Sequence, residues 1–191
     1  MTHASAIRLS AGLNAPTFQA ETIFGSPIDL QAYRGHSVLV SFYRNAACAI
    51  CNLRVHEMIE QYPAFHAAGL EIIAVFESPR ENMLQYVGKQ DAPFALIADP
   101  SAALYDLYGV EVSEEKVNTT MQNPATEGRV QAASAAGFEL TREEGSNFFR
   151  MPAEFLIDAD GIIRQAFYSE VVGEHLPFAV IKAYLAANVT S

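Results

Sequence analysis

The sequence is poor in several residue types, and each shortage excludes a class of protein. Its 191 residues include only two cysteines, too few for a scaffold held together by disulfides. Lysine and arginine number 12 against 22 acidic residues, and a net charge of −10 disfavours nucleic acid or anionic lipid as a partner. No apolar run approaches the roughly 20 residues of a membrane-spanning helix. We therefore expect neither nucleic-acid nor membrane binding.

The overall composition is typical of a globular protein. Half of the residues are hydrophobic, the mean hydropathy is +0.10, and 11 glycines with 9 prolines are too few for a collagenous or disordered chain. The length predicts a single domain over residues 1–191. The first residues lack the charged and then apolar pattern of a secretory signal, which predicts a cytoplasmic location.

Short apolar runs alternate with helical patterns along the chain. Runs at 37–43, 70–76 and 94–98 predict buried strands, each followed by a helix. Two later runs flank Ala159-Asp160-Gly161, which predicts a β-hairpin, and a helix from about Pro177 ends the pattern. The predicted fold class is therefore α/β, with a mixed central sheet of parallel strands and a C-terminal antiparallel hairpin, flanked by helices.

Several residues have predicted local roles. Gly25-Ser26-Pro27 suits a turn between two short strands, and Pro63 is expected to kink or interrupt the first long helix before it stops at Gly69. Ser78 and Asp99 are each expected to cap the helix that follows.

The stretch 111–150 has the weakest periodicity. It is rich in alanine and glutamate, and it predicts one helix around 127–136. We interpret it as a less regular insertion at the domain edge, covering either the site or a partner surface. Its acidic residues, from Glu111 to Glu144, are expected to form a solvated face.

The two cysteines, Cys48 and Cys51, are three positions apart where the first long strand ends and the first long helix begins. A random pair has this spacing about one time in a hundred. The partial positive charge of a helix N-terminus favours thiolate over thiol, and Cys-x-x-C pairs so placed have pKa values of roughly 3.5–7.5. The position favours attack by an exposed Cys48 and resolution of the mixed disulfide by a more buried Cys51.

Other interpretations of the pair stay open. One C-x-x-C supplies two of the four ligands of a zinc site, with His56 as a third candidate. The two thiols could also be inert core residues or a structural disulfide. We expect no metal and no cofactor.

Three motifs carry a family resemblance over about residues 15–185. The first is Ala15-Pro16-Thr17-Phe18, the second runs from Phe42-Tyr43-Arg44 to Cys51-Asn52-Leu53, and the third is Pro152-Ala153-Glu154-Phe155-Leu156-Ile157-Asp158. Together they resemble thioredoxin-fold proteins of the alkyl hydroperoxide reductase/thiol-specific antioxidant group, and the second is similar to that of the bacterial peroxiredoxin-like subgroup. The resemblance implies a thioredoxin-like fold and an antioxidant thiol oxidoreductase.

The resemblance also implies site residues. It places a cis Pro152 opposite the cysteine pair, as in thioredoxin-fold proteins. The pattern of true peroxiredoxins would make Cys51 the peroxidatic cysteine with Cys48 resolving, but it puts Arg44 where proline belongs and Cys48 where threonine belongs. Their distant arginine would fall at Pro152, two residues from Arg150. Since threonine and arginine hold the peroxide and stabilise the departing oxygen, these replacements disfavour efficient peroxidase activity.

The residues around the two thiols differ from those of thioredoxin itself. No tryptophan is present, and Ser41 stands where thioredoxin buries an aspartate. Arg44 either raises the thiolate population by its charge or only caps a strand. Arg54 is expected to be a solvated helix charge, and the His56-Glu57 pair a surface feature.

We therefore predict a thiol-dependent oxidoreductase that performs thiol–disulfide exchange through Cys48 and Cys51, with Arg44 and Pro152 in supporting roles. A peroxiredoxin-type thiol peroxidase is the first alternative, and a redox-inactive binding module of the same fold is the second. Expected partners are a thiol reductant, such as a thioredoxin or glutathione system, and a peroxide or protein disulfide as substrate. A homodimer is a further expectation.

Overall fold

The computed structural model describes residues 7–139 and 141–188. Residues 1–6, part of the stretch in which we found no secretory signal, lie outside it. Strands and helices alternate through most of the chain. In order they are β1 (Gln19–Glu21), β2 (Pro27–Asp29), β3 (Ser37–Phe42), α1 (Ala49–Ala67), β4 (Leu70–Phe76), α2 (Arg80–Gln85), β5 (Ala95–Ala98), α3 (Ala103–Leu107), α4 (Glu114–Met121), α5 (Pro124–Ala135), β6 (Ala153–Ile157), β7 (Ile163–Tyr168) and α6 (Phe178–Asn188).

The central sheet is mixed, as the sequence predicts. Its strand order is β5-β4-β3-β6-β7. The pairs β3–β4 and β4–β5 are parallel, whereas β6 pairs antiparallel with both β3 and β7. A separate antiparallel pair, β1–β2, contains the predicted turn. The strand that leads to the cysteines, β3, is thus in the middle of the sheet.

Alternate residues of β3 pack on opposite faces of the sheet, because successive side chains of a strand point to opposite sides. Leu39 shares one buried cluster with Met58 of α1 and Ile181 of α6. Val40 belongs to a second cluster, with Tyr105 of α3 and Phe155 of β6. Both faces are therefore covered, and α1 is held against the sheet along its apolar stripe.

Of the two predicted effects of Pro63, a kink or an interruption of the first long helix, the interruption does not occur. Helix α1 continues through Pro63 to Ala67. Proline removes one backbone donor, but Phe65 in the next turn is 1% exposed, and its burial keeps the last turn of the helix against the core. The predicted stop at Gly69 is confirmed, with a positive φ of 83° that glycine adopts readily.

The stretch 111–150 holds two helices, not the single one predicted. The predicted helix corresponds to α5, which begins after the capping side chain of Asn123. The missed helix, α4, begins at Ser113, whose hydroxyl accepts a hydrogen bond from the N–H of Lys116. Only Val117 and Thr120 of α4 are buried, so the helix has too few apolar positions to give a periodic signal.

Within the described residues, no helix is both long and apolar enough to cross a bilayer.

Candidate active site

The two cysteines lie where β3 gives way to α1. Cys48 is the N-cap residue of α1 and Cys51 is in its first turn. They are joined in a disulfide, with Cα atoms 5.2 Å apart. The Cys48 sulfur accepts a hydrogen bond from the N–H of Cys51, with an N–S distance of 3.3 Å. In the reduced protein this helix N-terminus favours the thiolate at Cys48.

The two sulfurs differ in accessibility. Cys51 is 3% exposed and belongs to the core cluster that α1 forms with the sheet. Cys48 is half-buried and lines a cavity at the surface. The amphipathic pattern of α1 predicts this difference. Cys48 is therefore the sulfur that a bulky substrate can reach.

Long-range hydrogen bonds hold the backbone just before Cys48. The N–H of Ala46 donates to the Ser78 hydroxyl at 2.8 Å, and that of Ala47 donates to the Glu143 carboxylate at 3.3 Å. Ser78 also donates to Glu143 at 2.9 Å, as does the Asn82 side chain at 2.8 Å. Glu143, from the irregular stretch, thus helps to position the loop that carries the dithiol.

Two predictions are wrong at this point. Ser78 does not cap α2, whose N-cap residue is Pro79 without a side-chain hydrogen bond, because the Ser78 hydroxyl is bonded to Ala46 and Glu143 instead. Glu143 does not belong to a solvated face, since it is only 6% exposed. Its burial is possible because three donors satisfy the carboxylate. Asp99 is not the N-cap residue of its helix, which is Ala102, but its carboxylate accepts from the N–H groups of Ala103 at 3.1 Å and Leu104 at 2.8 Å and so satisfies donors at the helix start.

Asn52 also braces the same loop, a role that the sequence did not predict although the residue belongs to the second motif. Its side-chain amide donates to the carbonyls of Ala46, at 2.7 Å, and Cys48, at 3.0 Å. Its own oxygen accepts from the Gln90 side chain at 3.0 Å. Asn52 is 5% exposed, so these bonds are shielded from water.

Replacing Ser78 by alanine is expected to lower the free energy of unfolding by about 1–3 kcal/mol, because it leaves the N–H of Ala46 buried and unpaired. Urea denaturation measures the change. Ser101→Ala is the matched control, since the exposed Ser101 hydroxyl donates to Asp99 and its loss is expected to cost under about 0.5 kcal/mol. Equal effects of the two substitutions would contradict a bracing role for Ser78.

Arg44 lies beside the dithiol and reaches toward the irregular stretch. Its guanidinium donates to the carbonyl of Arg150 at 3.1 Å and to that of Phe148, and it lies over the Phe148 ring at 5.1 Å from the centroid. Burial lowers the pKa of Arg44 to about 10, so it remains charged at neutral pH. Arg44 and Cys48 line the same cavity. An influence of Arg44 on the thiolate stays a prediction.

Arg150 has structural partners that occupy its guanidinium. It donates to the Glu77 carboxylate at 2.5 Å and to the Val110 carbonyl at 2.6 Å, and it lies over the Tyr105 ring. It is 4% exposed and does not line the cavity at Cys48. These contacts leave Arg150 a structural residue of the fold.

The prediction of a cis bond before Pro152 is wrong. The described residues contain no cis peptide bond, so Met151-Pro152 is trans. The preceding backbone is held by pairing, since the N–H of Met151 donates to the carbonyl of Glu111 at 3.1 Å and Arg150 forms a bridge with Val112. Pro152 is buried and is not part of the cavity lining.

A second buried network lies under the start of α1, and it contradicts the prediction that Arg54 is solvated. Arg54 is 5% exposed and donates to the carbonyl of Leu176 at 2.8 Å. It is 3.5 Å from the carboxylate of Glu154, which also accepts from the N–H of Leu176 at 2.6 Å and from Ser41 at 3.2 Å. The His175 ring is 3.4 Å from the same carboxylate. The network ties β6 and the loop before α6 to α1.

The environment lowers the pKa values of both Glu154 and His175 in this network. Burial alone would raise the pKa of Glu154, but the charge of Arg54, with His175 and the N–H of Leu176, lowers it to about 2. Burial lowers the pKa of His175, and the negative charge of Glu154 offsets only part of that decrease. At neutral pH the network therefore holds one ionised carboxylate, one guanidinium and a neutral imidazole.

Acid is expected to destabilise the fold in two steps. Below about pH 6.5 the His175 side chain is protonated more readily in the unfolded chain than in the folded protein, so the free energy of unfolding starts to fall. Below about pH 4.3 Glu154 adds a second loss, because its carboxyl protonates in the unfolded chain before it does in the folded protein. Urea denaturation from about pH 7.5 to 3.5 measures both. His175→Asn should remove the first step. The control His56→Asn, at an exposed histidine, should retain it. Identical dependences of the free energy of unfolding on pH in the two variants would contradict the assignment of the first step to His175.

A cavity of about 470 Å³ lies beside Cys48. Polar residues at its surface include Arg44, Asn45 and Glu143. The rest is largely apolar and comes from α1, α4, α5, the stretch before β6 and the loop after β7. Its apolar wall includes Ile50, Val117, Met121, Val130, Phe149 and Val172. The irregular stretch 111–150 therefore supplies much of the wall of the cavity beside Cys48.

The surroundings of the cysteines bear on the zinc interpretation. Across residues 7–139 and 141–188, no three His, Cys, Asp or Glu side chains are grouped as a metal site requires. The candidate third ligand, His56, has an exposed side chain near Glu60. The exposure of His56 agrees with the prediction for that residue, but Glu57 is half-buried and its carboxylate accepts from the Arg129 guanidinium of α5 at 2.6 Å, so the prediction does not hold for Glu57.

The known proteins with sequences similar to this chain include thiol proteins of two kinds. The model of the AhpC/TSA family matches residues 11–166. A protein of Mycobacterium tuberculosis strain H37Rv, provisionally named a peroxiredoxin, is 26% identical over 115 residues, covering 60% of this chain and 73% of that protein. Thiol-disulfide oxidoreductase ResA of Bacillus thuringiensis is 27% identical over 104 residues, covering 54% of this chain and 60% of ResA.

Solved structures agree on the fold. The crystal structure of Peroxidoxin BcpB from Mycobacterium tuberculosis superposes with a TM-score of 0.68 at 14% identity, covering 95% of this chain and 99% of the other. A peroxiredoxin Q mutant of Xanthomonas campestris gives a TM-score of 0.63 at 16% identity, covering 98% and 99%. The predicted thioredoxin-like α/β fold is therefore confirmed.

Proposed function

Because the chain belongs to the AhpC/TSA family and is a thiol-dependent oxidoreductase, we propose that it reduces disulfides through Cys48 and Cys51. One observation carries the assignment of roles. Cys48 lines the cavity as the N-cap residue of α1, whereas Cys51 is 3% exposed in the core. A thiolate at the accessible position can attack a substrate, and the buried one is one helical turn away to resolve it.

The proposed reaction has two exchange steps. The Cys48 thiolate attacks one sulfur of the substrate disulfide, forms a mixed disulfide and releases the first substrate thiolate. The Cys51 thiol loses its proton to solvent, attacks the Cys48 sulfur and releases the second substrate thiolate. The protein ends in the disulfide form seen in the structure, having given two electrons to the substrate. A second thiol system then reduces the protein.

Residues around the pair would position it. Ser78, Asn52 and Glu143 hold the loop that carries Cys48, so the sulfur keeps one place relative to the helix N-terminus. Arg44 would add positive charge near the thiolate, which lowers a cysteine pKa. Pro152, buried directly before β6, would support the sheet beneath the site.

A peroxidase reaction, with Cys51 attacking peroxide and Cys48 resolving, is the alternative that the family allows. It requires peroxide to reach a sulfur that is 3% exposed. It also requires donors that stabilise the departing oxygen. Arg150, the arginine nearest to the family's pattern, is bonded to Glu77 and Val110. These observations support disulfide exchange over peroxide reduction.

Single-cysteine variants separate the two reactions. Cys51→Ser, mixed with a peptide disulfide, should accumulate a mixed disulfide on Cys48 that mass spectrometry locates. Cys48→Ser, given one equivalent of hydrogen peroxide, should form sulfenic acid at Cys51 no faster than free cysteine does. Rapid sulfenic acid formation at Cys51 would support the peroxidase instead. If neither thiol reacts faster than free cysteine, the redox assignment fails.

The remaining partner and location assignments are part of the same proposal. The reductant would be a thioredoxin or glutathione system, in the cytoplasm, with the chain as a single domain. A homodimer is proposed as well, and size-exclusion chromatography with light scattering tests it. The acidic surface continues to argue against nucleic acid or anionic lipid as a partner.

A further inference from the structure

Two guanidinium groups at the cavity beside Cys48 lack an opposite charge. Arg44 and Arg142 both line this cavity, and the ion pairs among the described residues include neither of them. Arg142 is exposed and makes no hydrogen bond with the described part of the chain. Arg129 and Arg150, by contrast, each pair with a carboxylate. The cavity therefore has two positive charges that the fold does not use for ion pairing.

The half-buried Arg44 keeps an accessible donor. Its Nε donates to the carbonyl of Arg150 and its Nη2 to that of Phe148, and these bonds fix the plane of the guanidinium. Neither bond uses Nη1, and this nitrogen is not among the unpaired atoms that are sealed from solvent. Because a carbonyl oxygen carries no full charge, the guanidinium is held in place without being neutralised. An anion can therefore still pair with it.

The acidic residue in the described lining, Glu143, does not neutralise the two arginines. Its carboxylate accepts instead from the N–H of Ala47, the Ser78 hydroxyl and the Asn82 side chain. The formal charges of the lining sum to +1, in a protein whose net charge is −10. Salt screens exposed charges beyond about 8 Å at physiological ionic strength. An anion at the cavity therefore responds to these arginines more than to distant acidic residues.

A carboxylate is the anion that fits this arrangement. The planar guanidinium presents paired N–H donors that match the two oxygens of a carboxylate. The local charge of +1 suits a singly charged carboxylate better than a doubly charged phosphate. The cavity volume of about 470 Å³ is in the range of small-molecule sites. Because Cys48 lines the same cavity, a ligand that carries the carboxylate can also present a sulfur to Cys48.

We propose that Arg44 and Arg142 form an anion subsite that selects small disulfides of thiol acids, which carry a carboxylate near the sulfur. The inference rests on the proposed function, because it concerns which disulfide Cys48 attacks. In the first exchange step the Cys48 thiolate bonds to one substrate sulfur, the substrate S–S bond breaks, and the other half leaves as a carboxylate-bearing thiolate. The two arginines offset the repulsion between the attacking thiolate and the substrate carboxylate.

Reduction of two disulfides of nearly equal shape tests the subsite. Dithiodipropionate carries two carboxylates, and its diamide has a neutral amide in place of each. The rate with the reduced full-length protein is divided by the rate of the same disulfide with dithiothreitol, which removes differences in intrinsic reactivity. This normalised rate should be roughly 10-fold higher for the carboxylate at low salt. It should fall to about twofold higher at about 0.5 M salt, because salt screens the accessible arginines.

The outcomes keep the two proposals distinguishable. Equal normalised rates for the two disulfides, or a preference that salt does not reduce, would overturn the subsite and leave disulfide exchange standing. If neither disulfide is reduced, the proposed function fails, and binding then decides on the subsite. In an NMR titration the oxidised protein, whose two cysteines are joined, should bind dithiodipropionate roughly 10-fold more tightly than the diamide. Equal affinities would overturn the subsite independently of any reaction.

Three substitutions locate the preference for the carboxylate. Arg142→Gln should lower it to about threefold and Arg44→Gln to about twofold, since each removes one charge from the cavity. A change in the thiolate or in the loop affects both disulfides alike, so the ratio of their rates reports the subsite alone. Lys182→Gln is the matched control, because it removes the same charge at an exposed position outside the cavity lining and should leave the ratio unchanged. Equal ratios in Lys182→Gln and the two arginine variants would overturn the assignment.

Discussion

Replacing Cys48 by serine is expected to lower the second-order rate constant of disulfide reduction by about 1000-fold or more, the scale seen when a covalent nucleophile is removed. Serine has no thiolate, and its hydroxyl does not attack a disulfide at neutral pH. The substitution should leave the fold intact, because serine is a favoured N-cap residue and can still accept from the N–H of Cys51. Stopped-flow mixing of the reduced variant with a peptide disulfide gives the rate.

Cys51→Ser is the matched control for this prediction. It retains the attacking thiolate, so the rate of mixed-disulfide formation should stay within about threefold of the unmodified protein. Turnover should stop after that first step, since no second thiol is present within the described residues. The opposite pattern, with fast reaction in Cys48→Ser and none in Cys51→Ser, would identify Cys51 as the nucleophile.

Replacing Arg54 by methionine is expected to lower the free energy of unfolding by about 3–5 kcal/mol, because it leaves the buried carboxylate of Glu154 without its opposite charge. The substitution also removes the hydrogen bond to Leu176 and the contact with the Phe178 ring, 4.0 Å from the guanidinium to the centroid. For a chain of 191 residues the loss corresponds to a Tm lower by about 6–20 °C. Differential scanning calorimetry measures it.

The control for Arg54 is an ion pair at the surface. Arg164 pairs with Asp158 at 2.6 Å, but its side chain is 53% exposed. Arg164→Met should therefore cost less than about 1 kcal/mol, since solvent screens exposed pairs and they add little to stability. If Arg54→Met costs no more than Arg164→Met, the Arg54–Glu154 network does not carry the stability assigned to it.

Features set by neighbours in the sequence were predictable. Runs of β-branched and aromatic residues identify β3 and β4, because a strand buried on both faces must be apolar at nearly every position. The apolar stripe of α1 places Cys51 toward the core and leaves Cys48 at the helix start. The hairpin at 158–162 follows from its turn residues.

Features that depend on residues far apart in the sequence were not predictable from it. Ser78 has the pattern of a helix cap, yet its hydroxyl is bonded across the fold to Ala46 and Glu143. Arg54 has the position of a surface charge on α1, yet α6 and the loop before it cover that position. A local pattern cannot predict such pairings, because they depend on which elements are packed together.

By itself the sequence determined the order of the strands along the chain, the helix that carries the dithiol and the place of both cysteines at its start, because backbone hydrogen bonding and periodic burial depend on residues only a few positions apart. The tertiary structure alone decided what surrounds the sulfurs. Glu143 reaches Ala47 across 96 positions of sequence, and α4 and α5 close a cavity against Cys48. Such contacts form only when folded elements pack, since packing repays the entropy of bringing distant segments together.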